Sequence, residues 1–328
     1  MKAFKAYLIL AISFLLISCE KKFVEIIPVI EVEKDMSITG GGDIKYFSFP
    51  TTNVGYASAS TSFIYKTTNG GSSWNKINIS NNKKCNGIEF FDANNGMCLM
   101  DDDVYVTSDG GQSWSIRGSG DFIGLTDNGI GVIGDCGNSA CIVSTTTDKG
   151  QSFQVKGGMT YDLHFTYRAA RVEDSRVIIL SNNIYKHGNE NAFNLINNTA
   201  FVVDIGGFNA YEKHNDIFLA NNNSVGVLVG ENGLVAEKGE FLGNEIYDRT
   251  YKKHQYKYYS VDGYNGLVLC VGEKSIATNM DIGSEEIWNE VLDENGNSFA
   301  NTFYKVRFNN SSTLYISGSD GLILKATI

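Results

Sequence analysis

Thr67-Thr68-Asn69-Gly70-Gly71-Ser72-Ser73-Trp74 recurs as Thr107-Ser108-Asp109-Gly110-Gly111-Gln112-Ser113-Trp114, and again as Thr146-Thr147-Asp148-Lys149-Gly150-Gln151-Ser152-Phe153. The steps between copies are 40 and 39 residues. A fixed period of about 40–50 residues marks a repeat architecture and suits one four-stranded propeller blade. The residue types explain the turn. An Asp or Asn side chain accepts backbone N–H bonds within its own turn, and the Thr hydroxyl adds another. Gly70, Gly71, Gly110, Gly111 and Gly150 permit positive φ in a tight connection. Trp74, Trp114 and Phe153 are expected to point into an apolar seam, each burying roughly 150–250 Å². This constellation (Thr67, Asn69, Gly71, Trp74; Thr107, Asp109, Gly111, Trp114; Thr146, Asp148, Gly150, Phe153) predicts a structural role and no catalysis.

Working outward, each turn is preceded by three short apolar or alternating segments. Unit one has Asp43–Phe49, Asn53–Ala59 and Phe63–Lys66; unit two has Gly87–Phe91, Asn95–Met100 and Val104–Val106. β-branched and aromatic residues between Asn/Gly turns read as short antiparallel strands. Later units lose the turn motif and keep the hairpin, as in Gly226–Ala236, Gly266–Ala277 and Leu314–Lys325. Aligning third strands at Ile64, Val104, Ile142, Ile184, Leu234, Ile276 and Ile323 gives seven units. The fold class is therefore all-β, a seven-bladed propeller, with six or eight blades left open. The last unit stops before its fourth strand, while Phe23–Val32 is an orphan strand at the other end. That segment is expected to supply the missing outer strand and close the ring. Pro28 is tolerable there, because one N–H of an edge strand faces solvent.

Residues 1–18 read as a signal segment. Lys2 and Lys5 precede an apolar run, Tyr7–Ile17, that is too short to span a membrane, which takes about 20 residues. The run ends in Leu16-Ile17-Ser18-Cys19, which resembles a bacterial lipobox, with Ile and Ser in place of the usual small pair. Cleavage before Cys19 and its lipidation are expected, and two or more acyl chains hold a soluble domain stably on a membrane. Position 20 is Glu and not Asp, which favours the outer membrane and leaves the leaflet open. The division expected is a signal peptide (1–18), a lipidated N-terminus with the closing strand (19–39), and one propeller domain (40–328).

Loss of Lys2 and Lys5 takes the net charge from −10 to −12. Such an acidic chain does not attract nucleic acid or anionic lipid through its overall field. Five cysteines remain besides Cys19, an odd number, so at least one is free or pairs between chains. Cys136 and Cys141 bracket the tetrapeptide Gly137–Ala140, which reads as a turn, and either close a small disulfide loop or stay as thiols on facing strands. Cys270, inside an apolar run, reads as a buried core thiol.

The repeated turn resembles the Asp-box, or BNR, repeat of sialidases, sortilin-type receptors and propellers related to the photosystem II assembly factor. Gly318-Ser-Asp-Gly-Leu-Ile-Leu-Lys325 and Tyr65–Trp74 look most like the last group. The resemblance implies a ring whose loops bind or assemble other proteins. Sialidase chemistry instead needs three arginines around a substrate carboxylate, a Tyr–Glu pair and an Asp acid/base. The first arginine of this chain is Arg117, already beyond the second turn motif, and Arg168, Arg171, Arg176, Arg249 and Arg307 have no family context. The four histidines, His164, His187, His214 and His254, lack metal spacing, so no metal and no cofactor is expected.

One stretch departs from the repeat. Tyr247-Asp-Arg-Thr-Tyr-Lys-Lys-His-Gln-Tyr-Lys-Tyr-Tyr259 is rich in Tyr and positive charge. Tyr247, Arg249, Tyr251, Lys252, Lys253, Tyr256 and Tyr258 form the candidate interaction patch, because Tyr and Arg are enriched at binding hot spots. The bland alternative is an outer strand followed by the next inner strand. The function expected is a non-catalytic, envelope-anchored scaffold for a protein partner. The alternatives are a surface glycan-binding protein and a glycosidase or lyase, the last predicting acidic and basic side chains converging at one mouth of the channel.

Overall fold

In a computed structural model the chain is described over residues 31–327, apart from 81, 127, 138–139, 161–164, 174–175, 184–189, 195–198, 204–213, 221–224, 242–244, 253–255, 265, 280–287, 293–296 and 310–312. Among the described residues all regular structure is β, except one 3-10 turn at Ser319–Gly321. The strands form seven four-stranded antiparallel sheets. Their inner strands are Tyr46–Ser48, Cys85–Phe90, Phe122–Leu125, Phe165–Glu173, His214–Ala220, Tyr258–Tyr264 and Phe303–Phe308. Each inner strand packs against the next, and the last packs against the first. The fold is an all-β propeller.

Burial follows distance from the axis. Second strands such as Gly55–Ser58 and Gly96–Met100 are buried along their whole length, because neighbouring sheets cover both faces. That is why they read as unbroken runs of apolar and small residues. Outer strands Asn75–Asn78 and Ser115–Ser119 are mostly exposed and polar. Aromatic contacts fill the seams between sheets. Phe49 of the first unit stacks on Tyr315 of the last at 4.4 Å, and Phe90 meets Trp114 edge-on at 6.1 Å.

Sheet seven takes its fourth strand from the other end of the chain. Glu31–Asp35 pairs antiparallel with Ile323–Thr327, matching Glu31 to Thr327 and Asp35 to Leu324. The expected strand, Phe23–Val32, overlaps this one only at residues 31 and 32, and residues before 31 lie outside the described part. The apolar run set the expected end at Val32, whereas the strand continues through three more residues. An outermost strand is wet on both sides, and charged residues suit it better. Glu31–Asp35 is accordingly exposed at four of its five positions, and Lys325 pairs with Glu33. Met36, Ile38 and Ile44 then turn into the core beside Phe47 and Tyr315.

The fourth unit differs from the alignment. Its third strand is Glu190–Asn194, not the segment around Ile184, because the second strand runs on through Asn183. Ile184 itself lies outside the described residues. The weak turn signal there gave the register nothing to hold.

Gly71 is where the first turn meets the closing segment. Its φ is +80°, and a Cβ would fall 2.5 Å from Met36 Cβ. Gly129 has a similar φ of +76° with open space around it. Gly129→Ala is therefore expected to cost about 1 kcal/mol through backbone strain alone. Gly71→Ala is expected to cost about 3 kcal/mol, because overpacking adds to the same strain. Chemical denaturation of the two variants side by side checks the difference.

Candidate binding surfaces

The three turn motifs share one hydrogen-bond pattern. Thr107 Oγ1 donates to Asp109 Oδ1 at 2.8 Å and accepts from Gly111 N at 2.9 Å. Asp109 Oδ1 accepts from Ser113 N, and Oδ2 accepts from Ser113 Oγ at 2.6 Å. Thr146, Asp148, Gly150 and Ser152 repeat this set bond for bond. In the first copy Asn69 Oδ1 accepts from Thr67 Oγ1 and Ser73 N, while its Nδ2 donates to Ser73 Oγ. Lys149 stands where the other copies have glycine and takes φ +59°. The aromatic residues close each turn: Trp74 Nε1 donates to Met36 O and Trp114 Nε1 to Gly111 O. Phe153 packs on the buried cluster of Met97, Val104 and Val106. Lysines from the preceding sheet bond the turns, with Lys34 Nζ to Gly70 O at 2.6 Å and Lys66 Nζ to Gly110 O at 2.7 Å. Every polar atom named is engaged in holding the turn or its neighbour.

The turn hydrogen bonds, chiefly those from Ser113 and Ser152, hold the carboxyls of Asp109 and Asp148 down to about 2. A depressed folded-state pKa stabilises the fold above the unfolded value, about 3.9 for Asp, and that contribution disappears as pH falls toward the folded value. Asn69 has no carboxyl to titrate. Stability is expected to start falling below about pH 4 as these two turns protonate. Side-chain carboxyl chemical shifts followed by NMR should give midpoints near 2 for both residues.

The turns lie on one face of the ring with the loops between first and second strands, since Gly70 N bonds Asn53 O and Gly110 N bonds Asn94 O. The opposite face gathers the starts of the inner strands and the turns between second and third strands. There Asp101 N bonds Lys84 O, Glu273 N bonds Lys257 O and Ser319 N bonds Thr302 O.

On this second face a bulge recurs at the second residue of four inner strands. The register skips Asn86, Asn215, Tyr259 and Tyr304. A bulge turns its residue out of the ladder and re-aims the side chain. Tyr259 and Tyr304 thereby meet at the channel mouth, with ring centres 5.4 Å apart. Tyr304 Oη donates to Asp43 Oδ2 at 2.8 Å, and Tyr259 Oη donates to Glu273 Oε1 at 3.0 Å. Burial, with Glu273 beside it, pushes Tyr259 up to about 12, and burial with Asp43 raises Tyr304 as well. Lys45 Nζ sits 5.7 Å from the centre of the Tyr304 ring. Asn215 Nδ2 donates to Tyr258 O at 2.7 Å, tying neighbouring bulges together.

Inside the channel the charges face each other across the ring. Arg307 of sheet seven reaches Glu89 of sheet two at 3.5 Å, and Lys305 of sheet seven reaches Asp216 of sheet five at 3.6 Å. Desolvation raises the Glu89 carboxyl against the pull of Arg307 and Lys305. Asp216 also accepts from Ser260 Oγ at 2.8 Å, and Asp262 accepts from Phe308 N at 2.7 Å. Acidic and basic groups do converge here, as an enzyme reading expects, but each named carboxylate is engaged: Glu89 by Arg307, Asp216 by Lys305 and Ser260, and Asp262 by Phe308 N. Arg117 lies far off on the exposed outer strand Ser115–Ser119. No cluster of three or more metal-ligating side chains occurs among the described residues.

The predicted patch is divided. Tyr247, Arg249, Tyr251 and Lys252 belong to Glu245–Lys252, the outermost strand of sheet five, where Arg249 stands opposite Glu237 in register. Lys253 lies outside the described residues, as does Cys19. Tyr256 is exposed, whereas Tyr258 is 2% exposed and its hydroxyl meets Ser275 Oγ at 3.0 Å. Tyr258 is thus a core residue and not a contact residue; the mouth residue is its neighbour Tyr259. The bulge at Tyr259 turns that ring out of the ladder and leaves Tyr258, named in the expected patch, in the core. Tyr304, Asp43 and Lys45 carried no sequence signal, because the bulge that aims Tyr304 has no residue signature. Cys136 and Cys141 face each other in register and are disulfide-bonded, and Cys270 is buried as a free thiol.

No protein-family model and no curated protein matches the chain. Solved structures match its fold over nearly its full length. YCF48 bound to D1 peptide is similar with a TM-score of 0.70 at 16% identity, covering 92% of this chain and 99% of that one. The WD40 β-propeller domain of Doa1 has a TM-score of 0.64 at 10% identity, covering 92% and 97%. A catalytically inactive virginiamycin B lyase from Staphylococcus aureus with quinupristin has a TM-score of 0.65 at 10% identity, covering 91% and 99%. At these identities the likeness lies in the propeller fold, which YCF48, a WD40 domain and a lyase share.

Proposed function

We propose that the chain is a non-catalytic scaffold of the cell envelope: a seven-bladed Asp-box propeller, closed by its N-terminal strand, lipidated at Cys19 and held on the outer membrane, that binds a protein partner at the tyrosine-lined mouth. The observation that carries this reading is the mouth itself. Two tyrosines are aimed there by matched bulges and flanked by Asp43, Glu273 and Lys45. Rigid amphipathic rings with charges at the rim are what protein interfaces favour. Two cross-ring ion pairs span the channel below, which supports a binding role over a reaction chamber. YCF48 in complex with a peptide is a further propeller of similar shape that takes a peptide partner.

The test is a cross-linked affinity purification of the tagged, full-length protein from its own membranes, followed by mass spectrometry, beside a Cys19→Ala form. Envelope proteins in stoichiometric amounts that are lost with Cys19→Ala support the reading. A preparation free of protein partners contradicts it, and binding on a glycan array would then favour a surface glycan receptor.

A further inference from the structure

Three sulfur atoms lie in line inside the seam between sheets one and two. Cys85 Sγ is 3.1 Å from Cys98 Sγ, and Cys98 Sγ is 3.4 Å from Met100 Sδ. All three residues are fully buried, among Tyr56, Ile64, Ile88 and Phe90. The bulge at Asn86 creates this meeting. It puts Cys85 opposite Met100 and Ile88 opposite Cys98, so that Cys85, Ile88 and Phe90 all face the seam. Burial pushes the Cys85 thiol up, but the Cys98 thiol and the Ser58 hydroxyl outweigh it and hold Cys85 below its ordinary value, while Cys98 stands well above.

We propose that Cys85 and Cys98 form a second disulfide in the mature protein, joining the inner and second strands of sheet two. The donor is a protein or small-molecule disulfide, such as the active-site disulfide of a thiol oxidase. Cys85 thiolate attacks one donor sulfur and expels a donor thiolate. Cys98, deprotonated, then displaces the second donor sulfur from the mixed disulfide. The net exchange turns two protein thiols and one donor disulfide into one protein disulfide and two donor thiols. Both sulfurs are sealed in the folded ring, so the exchange precedes the docking of sheet one on sheet two. The arithmetic of the chain then closes: Cys19 for lipid, two disulfides, and Cys270 as the remaining buried thiol. The inference rests on the oxidising compartment proposed above, in which the Cys136–Cys141 bond also belongs.

The experiment uses the full chain exported by its own signal and purified without reductant. It is denatured in guanidinium with a maleimide and cut at glutamates, so that cleavage after Glu89 separates the two cysteines. The expected product is a linked pair of peptides two hydrogens lighter than their sum, free of maleimide until reduction. Maleimide on both Cys85 and Cys98 before reduction, or an intact mass raised by a bound metal, overturns the inference. If Cys136–Cys141 is closed in that sample, only the inference falls; if it too is labelled, the compartment reading falls with it. A second measurement separates the bond from mere packing. In a Cys136→Ala/Cys141→Ala background, reductant is expected to lower the unfolding midpoint by roughly 5 °C. An unchanged midpoint there contradicts the bond.

Discussion

Removal of residues 31–38 is expected to abolish the cooperative unfolding transition and to leave a protein that self-associates. The segment contributes the outer strand of sheet seven and two core side chains, Met36 and Ile38. Met36 N bonds Ile323 O, Ile38 N bonds Gly321 O, and Trp74 Nε1 bonds Met36 O. Burying two such side chains contributes about 1.5–3 kcal/mol each, and each hydrogen bond about 1 kcal/mol net. The sum, roughly 5–10 kcal/mol, is as large as the whole stability of a typical domain. The deletion also strips Ile323–Thr327 of its partner and exposes an edge that invites pairing with another chain. Calorimetry and size-exclusion chromatography of the truncated protein check both consequences. A sharp monomeric transition at the full-length temperature would show that the ring does not depend on this strand.

The second large effect belongs to Glu237. It is fully buried in sheet five, yet it accepts bonds from Asn279 Nδ2 of sheet six and from Trp288 Nε1, which stands just ahead of that sheet's outer strand. It therefore holds two sheets together through a carboxylate with no access to water. Glu237→Ala leaves two buried N–H donors facing a cavity, and a cost of about 3–5 kcal/mol is expected. Glu237→Gln keeps a carbonyl oxygen where the Trp288 N–H points, and a cost under about 1.5 kcal/mol is expected. Urea unfolding of both variants reads the difference directly. Equal losses would mean that the carboxylate charge, and not its acceptor atoms, matters at this seam.

Much of the architecture was legible because it is repeated. Thr67, Asn69, Gly71 and Trp74 return twice at an almost constant step, and each copy specifies its turn through bonds to itself. Local signals of that kind survive translation into structure. Trp288 kept its place ahead of an outer strand, Asn289–Glu290, even though the sequence before it has lost the Thr-x-Asp-x-Gly motif. What the sequence did not disclose depends on non-local geometry. The closing strand runs on to Asp35, three residues past the expected end at Val32, because apolar content is a poor guide to an outermost strand. Tyr258 and Tyr259 are adjacent and alike in sequence, and one bulge decides which is core and which is surface. The channel pairs Arg307–Glu89 and Lys305–Asp216 join residues more than 80 positions apart, and no spacing rule anticipates them.

The central claim is that a protein partner docks on the face carrying Tyr259 and Tyr304 and not on the face carrying the repeated turns. A photo-reactive amino acid placed at Lys45 on the tyrosine face, and in a separate sample at Ser108 on the turn face, tests it in native membranes. Adducts of a defined size from position 45, and none from position 108, are the predicted result. Adducts from position 108 alone, or none from either position, would contradict the account.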